Sequence, residues 1–405
     1  MDQVVNNRFI RAMVLLVAFR CLGLIAYRAA VAPSGLFAGD FWTYHAAAKR
    51  LDDGEPLYIR MHSQNGEGPR LLMQHVSSPL IPVLVRPAAR LPVGSAFHLW
   101  VGVNVAMLAL AVVLFCWGTG VRFLEDVAPV LLVLFTAFRY WPTVLELAMG
   151  NSDVILLLAV CGMFVCDRYG KWILFALLVA LAALTKTWML GALFYLLARR
   201  KWLAAAAGAG FFAAGGAILF CVVGWSEFPH YLEITRLYSS QPMLVSHSVA
   251  GMARMFFSAN LVMTPWVNSR ALYLAVLAVG YGFLVSGLLY LWWRGPEMNG
   301  YQAHLCLGLT ALALILGSPI SHQYYFVLAL PLFWALLAGS GESSSPGWGV
   351  RLAAFALYLV FSVPAPGDPL PDAFKHGIRS AEVAITFVTG MSLWGLGLFA
   401  LIREF

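Results

Sequence analysis

One acidic side chain stands among aromatic residues in the segment Gly39-Asp40-Phe41-Trp42-Thr43-Tyr44 of this 405-residue chain. Only 11% of the residues are Asp, Glu, Lys or Arg, whereas roughly a quarter are charged in an average soluble protein. An acid in so apolar a chain is either solvated at a membrane boundary or retained for chemistry. The role of Asp40 therefore decides much of what the sequence says about function.

Asp40 has two interpretations of comparable weight. As the N-cap of a helix, its side chain would accept a hydrogen bond from the backbone N–H of Thr43. As a general base, it would take a proton from a sugar hydroxyl. In that case the rings of Trp42 and Tyr44 would offer stacking faces to a sugar or a lipid chain. The residue types alone leave both roles open.

A lysine between two threonines, Lys186, lies inside the apolar run 172–200. Its charge would be unfavourable at membrane depth unless an anion lies nearby. One hypothesis is an ion pair with Glu146 or Asp153. The other is the phosphate of a lipid-phosphate ligand, bound with help from the ends of two half-length helices. We favour the phosphate, because the sequence offers few acids at that depth.

Other polar side chains are candidates for substrate binding. Asn151 and Asp153 would either cap the following helix or bind sugar hydroxyls. A helix beginning near Ser248 would point Arg254 towards the membrane, where it could pair with a phosphate. A solvated loop arginine is the alternative for Arg254.

A polar segment also separates two later apolar runs, Ser318-Pro319-Ile320-Ser321-His322-Gln323-Tyr324-Tyr325. His322 is either a satisfied interfacial histidine or, with Tyr324, part of a donor-binding cluster. The chain contains no His-Glu-x-x-His and no Asp-x-Asp motif, so we expect neither a metal nor another cofactor.

Long apolar runs must position these residues. Hydrophobic residues make up 61% of the chain, and a run of ~20 such residues can cross a bilayer as a helix. We predict an all-α polytopic membrane protein with one integral domain, residues 1–405, and about twelve spans. The run 172–200 is counted as two half-length helices that meet at 185–187 and line a cavity. The full spans are predicted at about 12–31, 98–119, 127–142, 154–166, 203–223, 271–293, 301–317, 324–338, 350–363 and 383–402.

Two long loops, 32–97 and 224–270, are predicted to lie outside the cytoplasm. The first should contain an interfacial helix over 40–51 that ends before Gly54 and Pro56. The basic residues are scattered, so the net charge of +7 does not indicate nucleic-acid binding. Instead they flank short connections, the positive-inside pattern that assigns those connections and both termini to the cytoplasm. These residues are Arg8, Arg11, Arg122, Arg168, Lys171, Arg199, Arg200, Lys201, Arg294, Arg351 and Arg403.

An ordered set of motifs runs through most of the chain. It begins with Asp40-x-x-x-Tyr44-x-x-Ala47, which leads to Gly54-x-Pro56-Leu57-Tyr58. The later members are Ser78-Pro79-Leu80, Arg86-Pro87, Gly150-Asn151-Ser152-Asp153, Thr185-Lys186, Ser246-x-Ser248 and Ser318-Pro319-Ile320-Ser321. Together they resemble glycosyltransferase family 87, whose polytopic enzymes of the GT-C class include mannosyltransferases that depend on polyprenyl-phosphate mannose.

The resemblance implies a polyprenyl-phosphate sugar donor, usually the mannose form, and transfer with inversion to a lipid or glycan acceptor. It places the reaction on the outer face of the bacterial cytoplasmic membrane and makes Asp40 the catalytic base. The expected donor-phosphate ligands are Lys186, Arg254 and His322. The expected substrate-binding residues are Tyr44, Trp42, Asn151, Asp153, Ser248 and Tyr324.

A transporter or flippase of lipid-linked sugars is the alternative function. Such a protein would use the same cavity and phosphate site but would need two alternating gates and no base. The loop 32–97 looks more like a fixed lid than a gate. A noncatalytic scaffold would leave Lys186 unexplained. The partners expected in either active case are lipid-linked sugars and membrane lipids, not nucleic acid.

Overall fold

The computed structural model describes residues 39–58, 78–122, 126–240, 245–260, 264–338, 346–363 and 372–404, in which all regular secondary structure is helical. The predicted first span, 12–31, and residues 59–77 of the first predicted loop lie outside these ranges. Sixteen α-helices occur in the described part of the chain. They are α1 (Gly39–Asp53), α2 (Leu80–Val85), α3 (Val93–Thr119), α4 (Val127–Arg139), α5 (Trp141–Met149), α6 (Asp153–Arg168), α7 (Trp172–Thr185), α8 (Leu193–Ala198), α9 (Trp202–Val223), α10 (Glu227–Ser240), α11 (Val249–Phe257), α12 (Arg270–Arg294), α13 (Gly300–Gly317), α14 (Leu330–Ala338), α15 (Trp348–Phe361) and α16 (Asp372–Arg403).

Five helical segments in the described ranges are long and apolar enough to cross a membrane. They are α3, α9, α12 with its short 3₁₀ extension to Glu297, α13, and the part of α16 from Ala381 to Arg403. The consecutive helices α4 and α5, bent by 49°, would form a sixth span if they are taken together. The chain is therefore a helical membrane protein. The predicted count of about twelve spans is not confirmed by these residues.

The helices divide into a buried centre and a lipid-facing periphery. Almost every residue of α13 and α14 is buried. In contrast, α9 and α12 expose large apolar side chains such as Leu203, Ile218, Val279 and Leu289. Apolar side chains on the outside of a bundle suit contact with acyl chains, because the acyl chains are equally apolar. The site must therefore be sought where the central helices end.

The segment 324–338 was predicted as one span, and the structure corrects this. Residues Gln323–Ala329 form a 3₁₀ helix, and α14 begins only at Leu330. Pro331 explains the change of geometry, because proline has no backbone N–H and is accommodated in the first turn of an α-helix. The 3₁₀ segment places Tyr324 and Tyr325 beside the polar residues that precede it.

The predicted break inside 172–200 is present in the structure. Helix α7 ends at Thr185, Lys186 is extended with φ −137° and ψ 111°, and a 3₁₀ helix follows over Thr187–Ala192. The backbone stays hydrogen-bonded across the break, since the Lys186 N–H donates to Ala182 O at 2.9 Å. This geometry keeps the backbone N–H of Lys186 hydrogen-bonded although the residue itself is not helical.

The first predicted loop contains the expected helix, which extends over Gly39–Asp53 rather than 40–51. One face of α1 packs on α2 and the start of α3 through a small apolar cluster that includes Phe41, Tyr44, Ile81 and Trp100. These contacts hold the N-terminal end of α1 against the membrane helices. A second difference concerns the connection between the predicted spans 127–142 and 154–166, most of which belongs to the helix α5.

Candidate functional site

A cavity of about 240 Å³ lies between the N-terminal turn of α1, the break after α7, α10, and the segment 318–325. We call it the Asp40 cavity. Five residues that were singled out from the sequence line it: Asp40, Tyr44, Asn151, Lys186 and Tyr324. The fold thus joins side chains that come from four separate parts of the chain.

Asp40 lies within the first turn of α1, so it is not the N-cap that one interpretation required. Its Oδ2 accepts a hydrogen bond from Asn151 Nδ2 at 2.7 Å, and the Tyr324 side chain donates a second one. Burial raises the pKa of Asp40 above its ordinary value, while the Lys186 charge and the two hydrogen bonds act in the opposite direction. A fixed carboxylate of increased basicity suits a general base.

Asn151 is itself held in one orientation. Its Oδ1 accepts hydrogen bonds from the Tyr44 hydroxyl at 3.1 Å and from the Ser152 N–H at 2.6 Å. Trp100 Nε1 donates to the carbonyl of Gly150 at 2.9 Å. Because Oδ1 is occupied by donors, the Nδ2 group must face the carboxylate of Asp40. Asn151 therefore positions Asp40, a role different from the predicted contact with sugar hydroxyls.

Gly150 sets the backbone that presents Asn151. Its φ is +64°, and an added Cβ would lie 2.7 Å from Phe41 Cβ and 2.9 Å from the Phe97 ring. We expect Gly150→Ala to lower the free energy of unfolding by more than the ~1–2 kcal/mol that left-handed geometry alone costs a non-glycine residue. Gly54→Ala is the matched control, since Gly54 has φ +71° but no atom within 4 Å of the added Cβ. Thermal unfolding of both variants measures the difference, and equal losses would contradict the prediction.

Lys186 forms an ion pair, as one of the two hypotheses stated. Its Nζ lies 2.6 Å from Oδ1 of the fully buried Asp153 and 3.6 Å from the centre of the Tyr325 ring. The ammonium nitrogen has almost no exposed surface. Glu146, the other proposed partner, instead accepts hydrogen bonds from the backbone N–H groups of Asp153 and Val154. Lys186 therefore lines the cavity, but its ammonium group is buried in the wall beside Asp153.

Three other predicted residues lie away from the cavity wall. Trp42 is 39% exposed on another face of α1. Ser248 is the N-cap of α11, where its Oγ accepts a hydrogen bond from the Gly251 N–H at 3.1 Å. Arg254 is half-buried in the last turn of the same helix. The sequence correctly predicted the start of this helix, and Arg254 is not among the residues that line the Asp40 cavity.

His322 packs against Tyr324, which lines the cavity. The two rings stack with 5.2 Å between their centres. Burial and then the positive charge of Lys186 lower the pKa of His322 to about 3. The imidazole is therefore neutral near pH 7 and adds no positive charge for a phosphate. It can still hold Tyr324 in place through ring contact.

Two cavity residues were missed by the sequence analysis. Tyr231 and Thr235 of α10 line the Asp40 cavity, and the Tyr231 hydroxyl lies 2.9 Å from Thr187 Oγ1. Their i, i+4 spacing places both on one face of a helix, a signal that could have identified them within the predicted loop 224–270.

An apolar groove of about 400 Å³ adjoins the cavity, with Ser78, Thr187 and Tyr231 on the walls of both. Apolar side chains of α7, α9 and α10 form most of its lining, Leu184 and Phe220 among them. The Asp40 cavity, with its polar side chains, therefore adjoins a surface suited to a lipid chain. Within the described ranges, no group of three or more His, Cys, Asp or Glu side chains could hold a metal ion.

Comparison with known proteins adds one finding. Residues 78–319, more than half of the chain, match the model of glycosyltransferase family 87. The match includes Asn151 and Lys186, whereas Asp40 precedes it and Tyr324 follows it. No curated protein matched the sequence.

Proposed function

The chain belongs to glycosyltransferase family 87, and on this premise we propose which reaction this membrane glycosyltransferase performs. The proposed reaction moves a hexose, with mannose as the first sugar to test, from a polyprenyl-phosphate donor to a lipid or glycan acceptor. It takes place on the outer face of the bacterial cytoplasmic membrane and inverts the anomeric carbon. The protein acts as a single GT-C-type domain over residues 1–405, with both termini in the cytoplasm.

The observation that carries this proposal is the position of the Asp40 carboxylate. It stands on the wall of a cavity that contains several polar side chains and that adjoins an apolar groove. A lipid-linked sugar needs such an arrangement, because its sugar and phosphate are polar while its chain is apolar. The groove supports a lipid-linked donor over a soluble nucleotide sugar.

Asp40 performs the proton transfer in the proposed mechanism. The acceptor hydroxyl gives its proton to an Asp40 carboxylate oxygen as its own oxygen bonds to the anomeric carbon. The bond between that carbon and the phosphate oxygen breaks, and polyprenyl phosphate leaves with the electron pair. Asn151 and Tyr324 keep the carboxylate aimed at the cavity through their hydrogen bonds.

The three expected phosphate ligands contribute unequally to this proposal. Lys186 remains, because its positive charge lies beside the cavity and stabilises negative charge there even while it is paired with Asp153. Arg254 lies outside the cavity lining, and His322 is neutral. The hydroxyls of Thr187 and Tyr231, at the junction of cavity and groove, are the additional phosphate donors that we propose.

Purified protein incubated with radiolabelled polyprenyl-phosphate sugars and membrane lipid acceptors tests the function. We expect label to move into an acceptor, with the mannose donor the first to be compared with glucose and other hexoses. A flippase would instead move an intact lipid-linked sugar across a proteoliposome membrane. Such translocation without any transfer of label would overturn the proposal.

A further inference from the structure

A second pocket, of about 510 Å³, lies at the other end of the molecule, between the starts of α7 and α9. We call it the Arg200 pocket. Helix α13 runs from the region of the Arg200 pocket to the Asp40 cavity, so its length gives the approximate distance between them. Arg199 Nη1 donates to Met298 O at 2.6 Å just before that helix, and Ser318 of the cavity follows its last residue. Eighteen residues of α-helix separate the two ends by roughly 27 Å.

Arg200 and Lys201 line this pocket, and the preceding cation, Arg199, differs from them in its contacts. Arg199 donates to the carbonyls of Gly295 and Met298 and lies 3.9 Å from an oxygen of Asp167. Within the described ranges, Arg200 and Lys201 contact aromatic rings and form no ion pair within 4.0 Å, although the charge of Lys201 also acts on the Asp167 carboxylate. Arg199 is thus a structural residue, whereas Arg200 and Lys201 are held mainly by aromatic rings.

Aromatic rings hold those two cations over the pocket. The Arg200 guanidinium carbon lies 4.5 Å from the centre of the Trp292 ring, and Lys201 Nζ lies 4.7 Å from that of Trp172. Cation–π contacts of this kind fix a side chain without neutralising it. The two charges are therefore preorganised and still available to an anion.

The floor of the Arg200 pocket is apolar and exposed. Leu203 is 80% exposed and Ile173 is 49% exposed, and both line the pocket beside Arg200 and Lys201. A free phosphate would gain nothing from these side chains. A molecule with a negative head and apolar chains would cover both surfaces at once.

We propose that the Arg200 pocket binds the head group of an anionic phospholipid. The phosphodiester lies against Arg200 and Lys201, because guanidinium and ammonium groups are the strongest phosphate donors among side chains. The acyl chains run along Ile173 and Leu203. Tryptophan at the boundary of head group and hydrocarbon completes the arrangement. The proposal is independent of the transfer reaction, since it concerns the opposite end of the protein.

Native mass spectrometry of the full-length protein with equal amounts of dioleoyl-phosphatidylglycerol and dioleoyl-phosphatidylcholine tests this site. We expect wild type to retain the anionic lipid preferentially. Retention should fall roughly fivefold for each cation removed in Arg200→Gln, Lys201→Gln and the double variant. Arg403→Gln is the matched control, because Arg403 is an exposed cation at the same end of the molecule and outside the pocket.

Thermal unfolding of each variant confirms that it is folded before its lipid retention is compared. Equal retention of the two lipids by wild type would overturn the proposal. So would unchanged retention in folded Arg200→Gln and Lys201→Gln, which would mean that these cations only direct membrane topology. Displacement of the lipid by inorganic phosphate would also overturn it, since the site would then recognise the anion alone.

Discussion

Asp40→Asn should lower the rate of sugar transfer by roughly 10²–10⁴-fold, the range that a general base contributes, and leave donor binding nearly unchanged. Asparagine keeps the size of the side chain and an oxygen that can accept from Asn151 and Tyr324, which now donate to the carboxylate. It removes the basic oxygen that takes the acceptor proton. The substitution therefore separates catalysis from the structure of the cavity.

Single-turnover transfer and equilibrium binding of the donor, measured on the same preparation, make this comparison. Asp53→Asn is the control, because Asp53 is exposed at the opposite end of the same helix. We expect the control to retain the wild-type rate. Near-normal turnover in Asp40→Asn would show that another group is the base, even if the family assignment is correct.

Lys186→Met should have the second-largest effect, because it leaves the fully buried Asp153 without its ion-pair partner. Removing one member of a buried pair typically lowers the free energy of unfolding by about 3–5 kcal/mol. Lys186→Met/Asp153→Asn removes both charges and should recover much of that loss. Chemical or thermal unfolding of the two single variants and the double variant closes the cycle.

The same variants report on the pKa of Asp40. The Lys186 charge lowers that pKa, so its removal raises it. A base works only when it is ionised, and the acid limb of the kcat/KM profile should therefore move to higher pH. In the double variant the shift should persist but be smaller. The negative charge of Asp153 raises the pKa of Asp40, and this effect is weaker than the lowering by Lys186.

Donor affinity distinguishes the two roles of Lys186. If its charge also stabilises the donor phosphate, the KM for the donor stays raised in the double variant although stability recovers. A wild-type KM there would mean that Lys186 is only the partner of Asp153. Lys49→Met, which removes an exposed lysine of α1, is the control for loss of a positive charge and should change neither quantity.

The sequence by itself determined the class of the protein and the position of most helices. Apolar runs identify membrane helices because the bilayer core accepts little else. The break at Lys186, the helix after Asp40 and the helix that begins at Ser248 were also predictable, because they depend on residues within one or two turns. The irregular start of 324–338 was not anticipated, although Pro331 stands within it.

Only the tertiary structure decided which polar groups meet. Asp40 and Asn151 are 111 residues apart in sequence, and Lys186 could have paired with Glu146, Asp153 or a bound phosphate. The same packing leaves Trp42 and Arg254 outside the cavity lining and brings Tyr231 into it. Hydrophobic periodicity describes each helix separately, whereas a hydrogen bond or ion pair between helices depends on their relative position and rotation. That is why Asp40 was identifiable from sequence, but its partners were not.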